Sequence, residues 1–315
     1  MSSKINSFCY FKLNPNTIND VRKEYNLHTY GAMDQAIDIL HDWIQKQPHF
    51  MKKDLPREYL ERCIINAKGS LEKAKRRLNN LYTMQTMTPI LFEKCHAIKD
   101  FPNLRNFFVN VPMPNMSEDN CRIHIGKFMT KTVTAAGCLE AYQHCRIILE
   151  CAKLYDYAKG YHVIYDLSEV SVADLLSNID WVVFRTCLTA VIEAYGFRLS
   201  TINIITSSTM VNMLIKFIKQ FVSEKIGSRI HAVKDVESLQ EHVSKKMLPK
   251  DYGGEQKSIL ELYDVMNEAF STEENVAFLE EMKRAHIIEE LRCSDNNLDT
   301  ELLGIPGSFK LLNVD

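Results

Sequence analysis

His162 and Asp166 are the pair whose residue types and spacing most suggest catalysis. They lie four residues apart where alternating residues predict a strand, so an imidazole and a carboxylate would share one face. However, no serine or cysteine nucleophile is specified beside them, and the sequence contains no G-x-S-x-G, P-loop or G-x-G-x-x-G motif. We therefore predict that the protein is not an enzyme.

Metal and redox chemistry have no support from the spacing of residues. The ten histidines include no H-E-x-x-H pattern, and the nine cysteines include no C-x-x-C pair. Several cysteines fall in apolar helical patterns, where a reduced thiol behaves as a small core residue. We expect buried free thiols, no metal and no cofactor other than a bound lipid.

Charge and hydropathy argue against two further classes of protein, namely nucleic-acid-binding proteins and secreted or membrane-spanning proteins. The net charge of −2 argues against nucleic-acid binding, so anion binding would need a local basic patch. Residues 1–6 are polar and no apolar segment follows them, which argues against a signal peptide. No run approaches the roughly eighteen apolar residues of a membrane span. These features predict a cytoplasmic protein, and we expect a monomer.

The elements that would position any site change in hydrophobic period along the chain. Up to residue 100 the apolar residues recur at helical spacing, first over residues 17–50, with boundaries at Pro48, Pro56 and Gly69. Prolines punctuate residues 100–116, which we interpret as a junction. We therefore predict a helical domain at residues 1–115.

Strands and helices alternate beyond the junction. Strands are predicted at residues 122–128, 161–165 and 201–205, and helices at residues 134–158, 172–194 and 209–230. This order is typical of an α/β domain with a mainly parallel sheet. We assign it to residues 116–275 and treat residues 276–315 as a C-terminal extension.

Four short segments carry a specific pattern in a fixed order. They are residues 41–50 (HDWIQKQPHF), 67–75 (AKGSLEKAK), 248–255 (LPKDYGGE) and 304–315 (GIPGSFKLLNVD). Together they resemble the CRAL-TRIO family, which includes the α-tocopherol transfer protein and the cellular retinaldehyde-binding protein. The third segment is close to the family's LP-x-[ED]-YGG signature, and the last resembles the tail of its insect branch.

The resemblance implies both a fold and an activity. The fold is a helical N-terminal domain followed by an α/β domain, in which one sheet face and the surrounding helices form an apolar cavity. A lid helix, at residues 209–224 here, closes the cavity. The implied activity is the extraction of a hydrophobic molecule from one membrane and its delivery to another, with only transient membrane contact and without chemistry.

We predict the residues of the cavity wall from the alternation of the strands, from the apolar faces of the helices and from the family resemblance. They are Tyr161, Val163, Tyr165, Ile179, Phe184, Cys187, Val191, Tyr195, Phe197, Ile202, Ile204, Met210, Met213, Leu214, Phe217, Ile218 and Phe221. Pattern alone leaves open that all of these are ordinary core.

The resemblance also implies a surface that binds phosphoinositide phosphates. Its cations are Arg198, Lys219, Lys225 and Arg229. An ordinary solvated face is the alternative, because residues 65–67 lack the arginines that are usual in the family. The lid segment also lacks the proline that is usual in the family, and Gly196 stands where the family usually has a second proline. We therefore expect lid closure and membrane docking to differ from those of relatives.

The expected ligand is α-tocopherol or a related isoprenoid, such as a retinoid or carotenoid. A phospholipid or phosphoinositide is the second candidate. A third possibility belongs to a different class, a lipid-sensing regulatory module that uses the acidic helical region 257–292 as a protein-binding surface.

Overall fold

From residue 10, where the described part of the chain begins, the N-terminal region forms four α-helices. The structure, a computed structural model, describes residues 10–240 and 243–292. The helices are α1 (Thr17–Glu24), α2 (Ala32–Gln45), α3 (Arg57–Asn66) and α4 (Leu71–Met87). The prediction of continuous helix over residues 17–50 is wrong, because left-handed backbone at Asn26 and Gly31 separates α1 from α2. Pro56 precedes α3 as predicted, and the Ser70 hydroxyl caps α4.

Five strands form one sheet whose spatial order follows the sequence. They are β1 (Phe108–Met116), β2 (Cys121–Phe128), β3 (Gly160–Asp166), β4 (Leu199–Ile205) and β5 (Ile230–Val233). Only β1 runs antiparallel to its neighbour, so the predicted mainly parallel sheet is confirmed.

Two of these strands, β1 and β5, were not predicted from the sequence. Residues 108–116 form the edge strand β1 rather than an irregular junction, since a proline without an N–H group is tolerated in an edge strand. Strand β5 has only four residues, too few for alternation to be recognised. The division of the chain into domains stays a prediction.

Helices connect the parallel strands. They are α5 (Ala135–Tyr155), α6 (Val172–Asn178), α7 (Trp181–Thr189), α8 (Val211–Ile218) and α9 (Glu224–Gly227), and α10 (Val236–Gln240), α11 (Ile259–Phe270) and α12 (Glu273–Met282) follow the sheet. Right-handed crossovers between successive neighbouring strands place their helices on one face of the sheet. This face holds the cavity described below.

Two predicted helices are broken. Residues 172–194 form α6 and α7 at an angle of 91°, because the Asp180 carboxylate accepts hydrogen bonds from the first backbone N–H groups of α7. Residues 209–230 form α8, a short 3-10 turn and α9, since Val222 and Ser223 adopt extended backbone. Among the described residues no single helix is long and apolar enough to span a membrane; the bent pair over residues 172–194 meets that test only when joined.

The segment LPKDYGGE closes against the carboxyl end of β3. Leu248 and Tyr252 are fully buried, and the Tyr252 hydroxyl donates to Asp166 Oδ2 at 2.8 Å. Gly253 has a φ of 66°, which a side chain would strain. The signature is therefore a structural turn that fixes the end of the sheet. The similar C-terminal segment at residues 304–315 lies outside the described residues.

Candidate functional site

An apolar cavity lies between one face of the sheet and helices α5 and α7. It has about 1170 Å³ of empty space, including the part at its mouth that is open to solvent. Small-molecule sites are mostly apolar with a few polar groups, and the lining of this cavity has that character. Open space of this kind is not expected in a close-packed core.

Nine of the seventeen predicted wall residues line this cavity. They are Tyr161, Val163, Tyr165, Phe184, Cys187, Val191, Tyr195, Phe197 and Ile202. Strand alternation located its floor, since Val163 lies opposite His124 of β2 and Ile202 of β4 in the parallel register. Ile164 and Ile205 are buried, and their strand positions place them on the other face, as expected. That the nine residues bind a ligand stays a prediction.

The structure does not bring the other eight predicted residues to the cavity. They are Ile179, Ile204, Met210, Met213, Leu214, Phe217, Ile218 and Phe221. Ile204 belongs to the same sheet face as Tyr165 but is covered. Most of the remainder belong to α8 and the turn after it, where Phe217 and Phe221 pack on Trp181 and Met213 is 51% exposed. The lid segment thus packs outside α7.

Helix α7 takes the position expected of the lid. Phe184, Cys187 and Leu188 line the cavity, while Val182 is 61% exposed on the outer side. No residue of α7 is fully buried although most are apolar, as is typical of a thin wall between two accessible spaces.

Sequence reasoning missed the wall contributed by α5 and the N-terminal helices. Tyr142, Cys145 and Leu149 of α5 and Met84 of α4 line the cavity. Helix α5 is apolar on several sides because it packs on the sheet and on the N-terminal helices at once. No face could therefore be assigned to the cavity from its pattern.

Two tyrosine hydroxyls in the cavity have no hydrogen-bond partner within the described parts of the chain. They belong to Tyr142 and Tyr165. Tyr165 is 40% accessible, yet burial among protein atoms raises its pKa, so its accessible surface faces the cavity and not bulk water. Burial also raises the pKa of Tyr142, with smaller contributions from Cys187 and Tyr165, which places these groups near one another.

Three other polar side chains of the wall already have hydrogen-bond partners. Tyr161 donates to Asp156 at 2.8 Å and Tyr195 donates to Glu150 at 2.6 Å. The His124 ring is hydrogen-bonded to Asn110, and burial lowers its pKa to about 4, so it is neutral at pH 7. The wall therefore offers two uncharged hydroxyls and one charged donor, the Arg146 Nε, which is buried without a partner among the described residues.

Glu150 links the cavity wall to the N-terminal helices. It is buried, and its second oxygen accepts a hydrogen bond from Tyr59 of α3 at 3.1 Å. Burial raises its pKa, an effect partly offset by Arg146 and by the two tyrosine hydroxyls. The neighbouring Lys153 amine donates to the Tyr195 carbonyl at 2.8 Å.

The comparisons with known proteins agree with this geometry. The CRAL/TRIO domain family matches residues 114–254. This part of the chain is a CRAL/TRIO domain. The crystal structure of Sfh5 has the same fold, with a TM-score of 0.53 and 12% identity, and the match covers 86% of this chain and 99% of that chain. No curated protein matches the sequence significantly.

The match to the CRAL/TRIO domain family supports the general prediction of a protein that binds a hydrophobic small molecule. Such domains bind hydrophobic small molecules, and the proteins that carry them are generally non-enzymatic lipid carriers. The family resemblance is confirmed, whereas the assignment to the insect branch stays a prediction. His162 and Asp166 of the domain have separate partners, Thr201 for the first and Tyr252 with Lys127 for the second, so they form no triad.

Basic residues from both parts of the molecule meet beside the CRAL/TRIO domain. Burial and then the charges of Arg198, Lys225, Lys73 and Arg229 lower the pKa of Lys68, which follows α3. Sequence reasoning missed Lys68 and Lys73 because only residues 65–67 were compared with the family pattern.

Two of the four predicted cations have structural partners. Arg198 pairs with Glu24 at 3.8 Å, and Arg229 donates to the Leu199 carbonyl. The side-chain stem of Lys219 lies beside Gly227. Phosphoinositide binding by these residues stays a prediction.

Proposed function

We propose that the protein carries a single hydrophobic molecule, with one small uncharged polar group, in the cavity of its CRAL/TRIO domain. The observation that carries this proposal is the apolar cavity whose Tyr142 and Tyr165 hydroxyls lack partners. A ligand that covered these hydroxyls without a hydrogen bond would lose about 1–3 kcal/mol for each of them. A ligand hydroxyl or carbonyl at this place would remove that cost and orient the ligand.

α-Tocopherol or a related isoprenoid, such as a retinoid or carotenoid, fits this description. A phospholipid would bring a phosphate, and a buried anion needs a free cation nearby. The cavity wall offers Arg146, whose Nη2 donates to the carbonyls of Phe92 and Lys94 while its buried Nε has no partner among the described residues. This cation near Glu150 keeps a phospholipid as the second candidate, whereas the two tyrosine hydroxyls support an uncharged ligand.

Delivery would take place at an anionic membrane. The cluster of Lys68, Lys73, Lys225 and Arg229 offers positive charge from two parts of the molecule, and each such residue near an anionic surface contributes roughly 1 kcal/mol. We expect a monomer that acts in the cytoplasm and contacts membranes transiently.

Thermal unfolding with added lipids tests the proposal. A ligand at a hundredfold excess over its dissociation constant stabilises the fold by about 2.7 kcal/mol, so α-tocopherol or retinol should raise the midpoint. Mass spectrometry of an organic extract identifies any lipid that copurifies. A rise with phosphatidylinositol alone would favour the second candidate. No rise with any lipid, together with an extract free of lipid, would refute the carrier function.

A further inference from the structure

Three metal-ligating side chains meet on the sheet face opposite the cavity. The donor atoms of Asp119, Cys121 and His162 all lie within 4.8 Å of one another. Asp119 is exposed, Cys121 is buried and His162 is half-buried. The cluster has no part in the lipid-binding site described above.

The fold assembles the cluster from two distant segments. The register of β2 and β3 sets Cys121 opposite Gly160 and Ile123 opposite His162, so the thiol and the imidazole are diagonal neighbours on one face. A tight turn at residues 117–120 precedes Cys121 and brings in Asp119. Because about forty residues separate the ligands, no spacing motif could have revealed them.

Hydrogen bonds from the N-terminal segment hold the turn that contains Asp119 in place. Asn120 has a φ of 61°, and its side-chain oxygen accepts hydrogen bonds from Thr17 at 2.8 Å and Asn14 at 3.0 Å. The Ser117 hydroxyl donates to Asp119 at 2.5 Å. The carboxylate is therefore oriented before any ligand arrives.

The imidazole is oriented in the way that metal ligands usually are. His162 Nδ1 shares a hydrogen bond with the Thr201 hydroxyl at 2.9 Å, and no other hydrogen bond of this ring occurs within the described residues. Metal-binding histidines typically use one ring nitrogen in this way and leave the other for the metal.

The surroundings of the thiol contain the Ser200 hydroxyl and two cations that share one carboxylate. A Cβ atom at Gly160 would lie 2.5 Å from Ser200 Oγ and 3.6 Å from Cys121 Sγ, so a larger residue at this position would clash with the serine beside the thiol. Lys159 is paired with Glu24 at 3.1 Å, and Arg198 is paired with the same residue.

We propose that Asp119, Cys121 and His162 bind a divalent transition-metal ion, best fitted by Zn²⁺, with the fourth coordination position open to solvent. Thiolate, imidazole and carboxylate are all zinc ligands, and bonds of about 2.0–2.3 Å place tetrahedral ligand atoms roughly 3.5 Å apart. The donor atoms, which lie within 4.8 Å of one another, must therefore approach by up to about 1.3 Å on binding. The Cys121 thiol releases its proton to solvent on binding, and the ion ties the turn before β2 to β3.

Titration of the metal-free full-length protein with Zn²⁺ and Co²⁺ tests this site. One Co²⁺ per chain should give a near-ultraviolet thiolate-to-cobalt charge-transfer band, and Zn²⁺ should displace it. Cys121→Ser and His162→Gln should each remove the band and weaken Zn²⁺ binding by at least tenfold. Cys138→Ser is the matched control, since Cys138 is a buried thiol whose raised pKa has no cause other than burial.

The exposed Asp119 provides a variant that should keep the fold. Asp119→Asn should weaken Zn²⁺ binding and lower the thermal midpoint measured with Zn²⁺, while leaving the midpoint without metal unchanged. A cobalt band that persists in Cys121→Ser, or equal Zn²⁺ affinity in wild type and Asp119→Asn, would overturn the proposal. Because the lipid-binding cavity is on the other face, neither result bears on the carrier function.

Discussion

At the scale of single residues, the decisive feature is which polar groups in the cavity still lack partners. Four tyrosines line the wall, and the sequence predicted three of them, but it could not predict which hydroxyls are free. Tyr161 and Tyr195 differ from Tyr165 only in what lies across from them, namely Asp156 and Glu150 on other elements. Such partners depend on long-range packing, which strand alternation does not encode.

We predict that Tyr142→Phe combined with Tyr165→Phe weakens α-tocopherol binding by about tenfold or more, because two hydrogen bonds of roughly 1 kcal/mol each are lost. Fluorescence titration measures the affinity. A tocopherol ether that lacks the hydroxyl should bind wild type and variant more nearly alike. Tyr30→Phe is the control, since Tyr30 is fully exposed. An unchanged affinity in the double variant would mean that other groups orient the ligand.

Two histidines whose rings are shielded from bulk water, the buried His144 and the half-buried His124, should make the fold sensitive to acid. Burial lowers the pKa of His124 and of His144 from 6.5 to about 4, so the folded protein takes up these protons later than the unfolded chain. Their full contribution to stability is present above pH 6.5 and is lost as the pH falls towards 4. At pH 5 the loss is about 1–2 kcal/mol for each histidine.

Urea unfolding at pH 7 and pH 5 measures this loss. His144→Gln should reduce the difference in unfolding free energy between the two pH values, because glutamine takes no proton. His28→Gln is the control, since His28 is exposed and joins no such site. An identical pH dependence in wild type and His144→Gln would show that His144 does not contribute.

At the scale of elements, the sequence predicted those with long, regular periods and missed those whose limits depend on one or two residues. Helix α5 and strands β2 to β4 were located within a few residues. The 91° bend between α6 and α7 was not, since the Asp180 cap competes with a continuous apolar pattern. As a result the lid was assigned to residues 209–224, whereas α7 covers the cavity.

Substitution with tryptophan distinguishes a cavity wall from a filled core. Val191 lines the cavity, so Val191→Trp should leave the thermal midpoint nearly unchanged and abolish lipid binding. Val111 is fully buried and does not line the cavity, so Val111→Trp should destabilise the fold by about 1–3 kcal/mol or more. If both variants lost similar stability, the space beside Val191 would be too small for a ligand.

At the scale of the whole molecule, the basic cluster exists only because the N-terminal helices and the CRAL/TRIO domain pack together. Lys68 and Lys225 are 157 positions apart in the sequence, and no local pattern could have paired them. The sequence supplied Lys225 and Arg229 through the resemblance alone. Lys68, in left-handed backbone after α3, became visible only in the structure.

Neutralising this cluster should slow delivery without affecting binding. Lys68→Asn, which suits a φ of 58°, combined with Lys225→Gln should reduce transfer to anionic vesicles by about tenfold at low salt. The effect should shrink at high salt, where exposed charges are screened. Lys99→Gln with Lys131→Gln is the control, with the same change of charge on other exposed lysines. Equal transfer by the two double variants would mean that docking depends on apolar contacts.

The position of Glu150 has a consequence for anyone who dissects the protein into fragments. A fragment that starts at β1 would keep Tyr195 and the carboxylate but would lose the hydroxyl of Tyr59, and it would uncover the side of α5 that now packs against α3. The half-satisfied carboxylate would then draw water towards the back of the cavity wall. A ligand-free result obtained with such a fragment would reflect its missing N-terminal helices and not the affinity of the intact carrier.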